Sequence, residues 1–143
     1  MKALLDTCIL IDALQAREPF FDDAENLLIA DANDEYEGYM TAKTIMDIYY
    51  IIHRYLHSDT HTRIHISKLI QLFHICDTTQ EDVENALLSD VHDYEDAVMV
   101  ETAKRIGVDT IITRNIRDYR DAGIAVTRPA DFLMMLDKQR GEI

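Results

Sequence analysis

Short apolar runs alternate along this chain with longer stretches whose hydrophobic residues return every three or four positions. The run "KALLD" ends on Asp6 and predicts a first buried strand, with a short helix over 8–15 after it. "REPFFDDAENLLIADAND" predicts a helix with Pro19 near its start, where a missing N–H costs nothing, and with Phe20, Ala24, Leu27 and Leu28 at helical spacing. "EGYMT" predicts a second strand and Thr41 a cap for the next helix, 42–57, whose Ile45, Ile48, Tyr49, Ile52 and Leu56 share one face. "SDTHTR" interrupts that pattern, which resumes over 62–73 with Ile66, Leu69, Ile70 and Phe73. "FHICD" predicts a third strand. "TTQEDVENALLS" predicts a capped helix with acids in its first turn, and 94–106 a helix stopped by Gly107. "DTIIT" and the weaker "IAVTR" predict two further strands, and Pro129 opens a last helix, "PADFLMML".

Strands alternating with helices predict an α/β sandwich around a mostly parallel sheet. The chain has 143 residues, 48% of them hydrophobic, with neither repeat nor linker, so a single domain over 1–143 is expected. Only 4 Gly and 2 Pro exclude a fibrous or low-complexity chain. Cys8 and Cys76 form no CxxC and no zinc spacing, and read as two thiols of a reducing compartment. Met1 runs straight into "MKALLDT" without a signal-peptide pattern, and no apolar stretch is long enough to span a bilayer. The expected location is the cytoplasm.

The formal net charge of -13 argues at first against a nucleic-acid partner. Its distribution changes that. Residues 12–37 hold Asp12, Glu18, Asp22, Asp23, Glu25, Asp31, Asp34, Glu35 and Glu37 against Arg17 alone. Residues 104–128 reverse the balance, with Lys104, Arg105, Arg114, Arg117, Arg120 and Arg128 against Asp109, Asp118 and Asp121. On charge alone such a tract reads either as an ordinary solvated face or as a local, salt-dependent approach for a polyanion.

Ligands of a parallel α/β sheet bind at the carboxyl ends of its strands. Asp6 closes the first strand. "DTIIT" leads through Thr113 into "RNIRD", bringing Asn115 and Asp118 to the same edge. Asp47 lies in the first two turns of the helix after the second strand, and Asp93 and Asp96 stand three apart at the start of 94–106. Each acid alone reads as a cap, a turn former or a solvated charge. Gathered on one edge they would repel one another, and a hard cation, Mg²⁺ or Mn²⁺, resolves the repulsion. Such a site suits hydrolysis of a phosphodiester by metal-activated water. Arg114, Arg117 and Arg120 would then grip the flanking phosphates.

"MKALLDTCILID", "TAKTIMDIYYIIHR", "DYEDAVMVETAKRIGVDTIITRNIRDY" and "IAVTRPADFL" resemble the PIN-domain family in order and spacing. The resemblance implies a three-layer α/β/α sandwich and a Mg²⁺- or Mn²⁺-dependent endoribonuclease. Many bacterial relatives are VapC-type toxins, each paired with an antitoxin and commonly homodimeric. It implies Asp6, Asp47 and Asp96 as the first three family acids, with Asp93 as a helper one turn earlier. The fourth acidic position falls at Asn115 or Asp118. Thr113 and Asn115 look like the polar residues that position water or metal, and with Arg114, Arg117 and Arg120 they make up the expected RNA-contacting edge. Two departures stand out: Asp47 where Glu is common, and Cys8 where Asn often follows two places after the first acid. Asp47 and Asn115 keep open a second reading, a PIN-like domain that binds RNA or a protein without catalysis.

Other signals point elsewhere. His53, His57, His61 and His65 recur every four residues, but "SDT" predicts a helix break that splits this stripe between two helices. Tyr49, Tyr50 and Tyr55 read as core or dimer packing rather than base-stacking residues. No Ser-His-Asp order and no Gly-rich phosphate loop is visible, and Asp6-Thr7-Cys8 is not the "DxD" of an aspartyl phosphatase.

Overall fold

In the computed structural model, which describes residues 1–141, each apolar run expected to be a strand is one. They are β1 (Lys2–Leu5), β2 (Glu37–Thr41), β3 (His74–Cys76), β4 (Thr110–Ile112) and β5 (Ala125–Thr127). They form a single sheet in the order β3-β2-β1-β4-β5, with every pairing parallel. The mostly parallel sheet of the sequence reading is therefore wholly parallel.

Alternation along the strands divides the core in two. Ala3, Leu5 and Ile112 face one helical layer, while Leu4 and Ile111 face the other. The first layer comprises α1 (Thr7–Leu14), α2 (Phe21–Ala32), α3 (Ala42–Leu56), α4 (Asp59–Leu72) and α7 (Pro129–Arg140), which contribute Ile9, Leu27, Ile48, Leu69 and Phe132. The second comprises α5 (Gln80–Ala86) and α6 (Tyr94–Ile106), with Ala86, Val100 and Ala103. The molecule is a three-layer α/β/α sandwich.

The helix ends follow from side-chain chemistry. Thr41 Oγ1 accepts the Thr44 N–H at 3.1 Å and starts α3. That helix ends at His57, in the left-handed region with φ 54. Ser58 Oγ then accepts the His61 N–H at 3.2 Å, so α4 begins at Asp59, earlier than the hydrophobic pattern places it. The histidine stripe is accordingly split between two helices. Thr79 and Asp82 form a reciprocal capping box on α5, and Gly107 ends α6 at φ 75. Pro19 lies in the turn Arg17–Phe20, ahead of α2 rather than inside it. The last helix continues past "PADFLMML" through a polar turn to Arg140, where no apolar residue signals it. Residues Ile116–Tyr119 form a 3₁₀ turn that "RNIRDY" does not announce. On α3, Tyr50 and Tyr55 are 69% and 74% exposed, which removes them from the core. Among the described residues, no helix is long and apolar enough to cross a membrane.

Two buried acids tie helices to their neighbours. Asp82 of α5 accepts from Arg105 Nε at 2.9 and 3.1 Å and from Thr102 Oγ1 at 3.2 Å, both on α6. Asp31 of α2 accepts the Gly38 N–H at 2.8 Å. Gly38 permits this approach: a Cβ there would lie 2.5 Å from Phe73 Cδ1 and 2.8 Å from Asp31 Oδ1. Burial pushes the Asp31 carboxyl up to about 6 from its usual 3.8, against the opposing pull of the Gly38 hydrogen bond. Because the folded-state value is raised, ionised Asp31 weakens the fold above about pH 6, and the loss disappears as pH falls below 3.8. Asp31→Asn keeps the acceptor and removes the charge. Its melting curve is expected to show a gain on the order of 1 kcal/mol at pH 8 that vanishes near pH 4.

Candidate functional site

The chain leaves β1 for β2 on one side, whereas β4 lies on the other. The carboxyl ends of β1 and β4 therefore flank a crevice at the switch point of the sheet. Asp6 follows β1 directly, and its N–H donates to the Ile112 carbonyl of β4 at 3.0 Å. Thr113 follows β4 and donates from Oγ1 to Asp6 Oδ2 at 2.8 Å, while accepting the Asn115 N–H at 3.0 Å. Asp6 occupies the N-cap position of α1, yet its carboxylate makes no capping hydrogen bond. Aspartate is among the best capping residues, so a carboxylate withheld from that task and oriented by Thr113 is left for the crevice.

Three further acids come from two other elements. Asp96 lies in the first turn of α6, beside Asp93, whose Oδ1 accepts the Asp96 N–H at 3.0 Å. Asp118 comes from the 3₁₀ turn. Burial, reinforced by the charges of Asp93, Asp6 and Asp118, raises the Asp96 carboxyl from 3.8 to about 6. A cleft of about 540 Å³ opens onto Asp93, Asp96 and Asp118, with His92, Arg117 and Arg120 also on its walls. Tyr119, directly after Asp118, is 3% exposed, and its hydroxyl donates to Met99 Sδ at 3.3 Å.

Several expected site residues sit differently. Asp47 Oδ2 is held by Lys43 Nζ at 2.7 Å, and Lys43 also lies 3.6 Å from Glu95 of α6. Asp47 is therefore near the edge of the site, one turn after Thr44, which meets Thr7 at 3.0 Å, but its carboxylate is occupied by a lysine. Asp93 is partly spent as the α6 cap. Asn115 contributes its backbone to Thr113, whereas Asp118 carries the charge that acts on Asp96.

Two of the residues expected to contact RNA are engaged elsewhere in the fold. Thr113 is fully buried and orients Asp6, which leaves it no reach to a nucleotide. Arg114 turns away from the cleft: its Nε meets Asp12 Oδ2 at 2.7 Å, and its guanidinium lies 4.2 Å over the Phe20 ring. Asp12 is wholly buried on the apolar face of α1, a position that demands a cationic partner. An acid inside "CILIDAL" was the visible sign of this pair.

The donors around the crevice are carboxylate oxygens, the set that suits a hard divalent cation. The mutual charge that raises Asp96 is the charge such an ion would neutralise. Among the described residues, no three His, Cys, Asp or Glu side chains already stand in a coordinating arrangement. That agrees with the hydrogen bonds at Asp6, Asp93 and Asp47, and Mg²⁺ commonly keeps several waters and takes only one or two carboxylates. The acids fit the ion as an open site. Cys8, whose Sγ lies 3.8 Å from Thr113 Oγ1, is pushed up to about 11 by burial and the Asp6 charge, and is a packed thiol rather than a ligand.

The sequence profile of the PIN domain matches residues 2–117. No curated protein sequence is significantly similar to the chain. Among solved structures, a toxin–antitoxin complex from Klebsiella pneumoniae contains a chain 27% identical, with TM-score 0.67 over 89% of this chain and 97% of that one. VapBC2 from Rickettsia felis, bound to a DNA fragment from its promoter, gives TM-score 0.67 at 13% identity over 90% of this chain and 98% of that one. Mycobacterium tuberculosis VapC20, described as a sarcin-ricin loop cleaving toxin, gives 0.59 at 11% identity over 76% of this chain and 86% of that one.

The Arg114–Asp12 pair makes a prediction separate from any chemistry. Asp12→Ala strands a partly buried guanidinium and is expected to cost about 3 kcal/mol in urea unfolding, whereas Arg120→Ala, at the open cleft, changes stability by less than about 0.5 kcal/mol.

Proposed function

The chain belongs to the PIN-domain family, and from that premise we propose that it is a divalent-metal-dependent endoribonuclease, the toxin of a toxin–antitoxin pair. The observation that carries the reading is the withheld Asp6 carboxylate: oriented by Thr113 at the sheet's switch point and making no capping bond, it adds its charge to the burial and to the charges of Asp93 and Asp118 that push Asp96 up to about 6. Bound Mg²⁺ or Mn²⁺ would supply Lewis-acid polarisation of the phosphate and a more acidic water.

The chain's residues supply the rest. Asp6, oriented by Thr113, and Asp96, anchored on α6, are the principal holders of the ion, with Asp118 beside them. Asp93 assists while capping its helix, and Asn115 steadies Thr113 through its backbone. Asp47 joins the set when Lys43 releases it. Arg117 and Arg120 stand at the cleft and bind the phosphates on either side of the scissile bond. The acidic remainder of the surface repels RNA, which confines productive contact to this edge.

The 27%-identical chain belongs to a toxin–antitoxin complex, which supports an antitoxin partner here. A homodimer through the exposed tyrosines of α3 and a cytoplasmic setting complete the reading. One observation favours the second reading, an RNA- or protein-binding domain without catalysis: Lys43 occupies Asp47, the shorter replacement for the usual glutamate.

One assay separates the two. Purified protein is expected to cleave single-stranded RNA with Mn²⁺ and to stop when the ion is chelated. Asp6→Asn and Asp96→Asn should each slow cleavage by about 100-fold or more. Equal cleavage by these variants would overturn the mechanism, and wild-type protein that binds RNA without cutting it would favour the second reading.

A further inference from the structure

The acidic crevice is walled by α6 and the 3₁₀ turn. A second cavity, of about 230 Å³, is lined from the other helical layer, by Ile9 of α1, Phe20 and Asp23 at the start of α2, and Arg128, Pro129 and Ala130 at the start of α7. Arg128 directly follows β5, which runs parallel to β4, so this cavity lies at the same carboxyl edge of the sheet as Asp6. Ile9 stands three residues after Asp6 on α1, about 4.5 Å along the helix axis. Arg114, the residue after the Thr113 that orients Asp6, also lines the cavity. The two sites therefore share a wall. The volume falls below the roughly 300 Å³ at the lower end of ordinary small-molecule sites, and suits one flat ring system.

Phe20 is 39% exposed, and the Arg114 guanidinium, 4.2 Å over its ring, backs one face. Asp12 neutralises that guanidinium, which adds a planar surface rather than a free charge. Among the described residues, the side chains of Asp23 and Arg128 have no hydrogen-bond or ion-pair partner, although both line this one cavity. They stand too far apart to satisfy each other, which leaves an acceptor and a donor for a ligand between them. We propose that the cavity holds a guanine base of the RNA strand whose phosphate lies in the crevice. The inference rests on the nuclease reading of that crevice. Unpaired bases stack on aromatic side chains of this kind. A carboxylate only accepts, and guanine presents it with two adjacent N–H donors on its Watson–Crick edge. Adenine and cytosine offer it one amino group, and uracil sets a single N–H between two repelling carbonyl oxygens. Arg128 takes the phosphate of the same nucleotide.

The test begins without metal, with NMR amide spectra of the protein in chelator during titration with guanosine or uridine monophosphate. The guanine nucleotide is expected to shift the Phe20, Asp23 and Ala130 amides, and the uridine nucleotide to shift them much less. Phe20→Leu, which keeps the apolar packing and removes the stacking face, should weaken guanosine monophosphate by about 5-fold or more. Asp23→Asn should erase the preference for guanine, and Arg128→Ala should weaken both nucleotides alike. With Mn²⁺, uridine oligonucleotides carrying one guanine should be cut at a fixed offset from it, and Asp23→Asn should raise KM for them with kcat unchanged. Guanosine monophosphate that leaves these amides unmoved, while RNA is still cut, overturns the inference alone. The same nucleotide bound in the cavity of a protein that cuts no RNA with Mn²⁺ overturns the nuclease reading, and with it the placement of the base in a substrate strand. Should Phe20→Leu fail to fold, Asp23→Asn, on the helix surface, carries the comparison: an undiminished preference for guanine overturns the assignment.

Discussion

Like-charge repulsion at the carboxyl edge of the sheet is the constraint around which this molecule is arranged. A wholly parallel sheet in the order β3-β2-β1-β4-β5 delivers the ends of β1 and β4 to one crevice, and the start of α6 and the 3₁₀ turn to its wall. Acids from three separate elements come together there, and burial together with their charges raises the Asp96 carboxyl. At two other places the fold sets a fixed cation beside a buried acid. Asp82 has Arg105, and Asp12 has Arg114. Among the described residues, the crevice acids, half-buried or exposed, have no such fixed arginine, which leaves their charge available to a ligand.

The same contrast revises the meaning of the basic tract at 104–128. Read as a string it is a positive patch for phosphates. In the fold, Arg105 and Arg114 neutralise buried acids and brace α5 and α1, and Arg117 and Arg120 are left at the cleft. Under the proposed function, the electrostatic approach for RNA is narrower than the count of arginines suggests. It lies beside the acids rather than spread along a face, and the negative charge of the remaining surface sharpens that localisation.

Most of the fold was legible because its signals are local. "EGYMT" is a strand with those bounds, Thr41 caps the helix after it, and Ser58 breaks the long helical stretch where "SDT" predicts. The acids Asp6, Asp96 and Asp118 were legible through topology, since strand ends in a parallel sheet share an edge. What the string of residues hid was pairwise and three-dimensional. Nothing local shows that Arg114 would turn from the cleft to Asp12, 102 positions away. Nor does helical spacing reveal that Lys43, one turn before Asp47, takes its carboxylate and reaches toward Glu95.

The central claim is that the Asp6–Asp96–Asp118 crevice is a divalent-cation site. Anomalous diffraction from Mn²⁺-soaked crystals tests it most directly. The account predicts an anomalous peak between Asp6 and Asp96, within water-bridged or direct reach of Asp118. A peak confined to other acidic surfaces, with this crevice empty at saturating Mn²⁺, would contradict it.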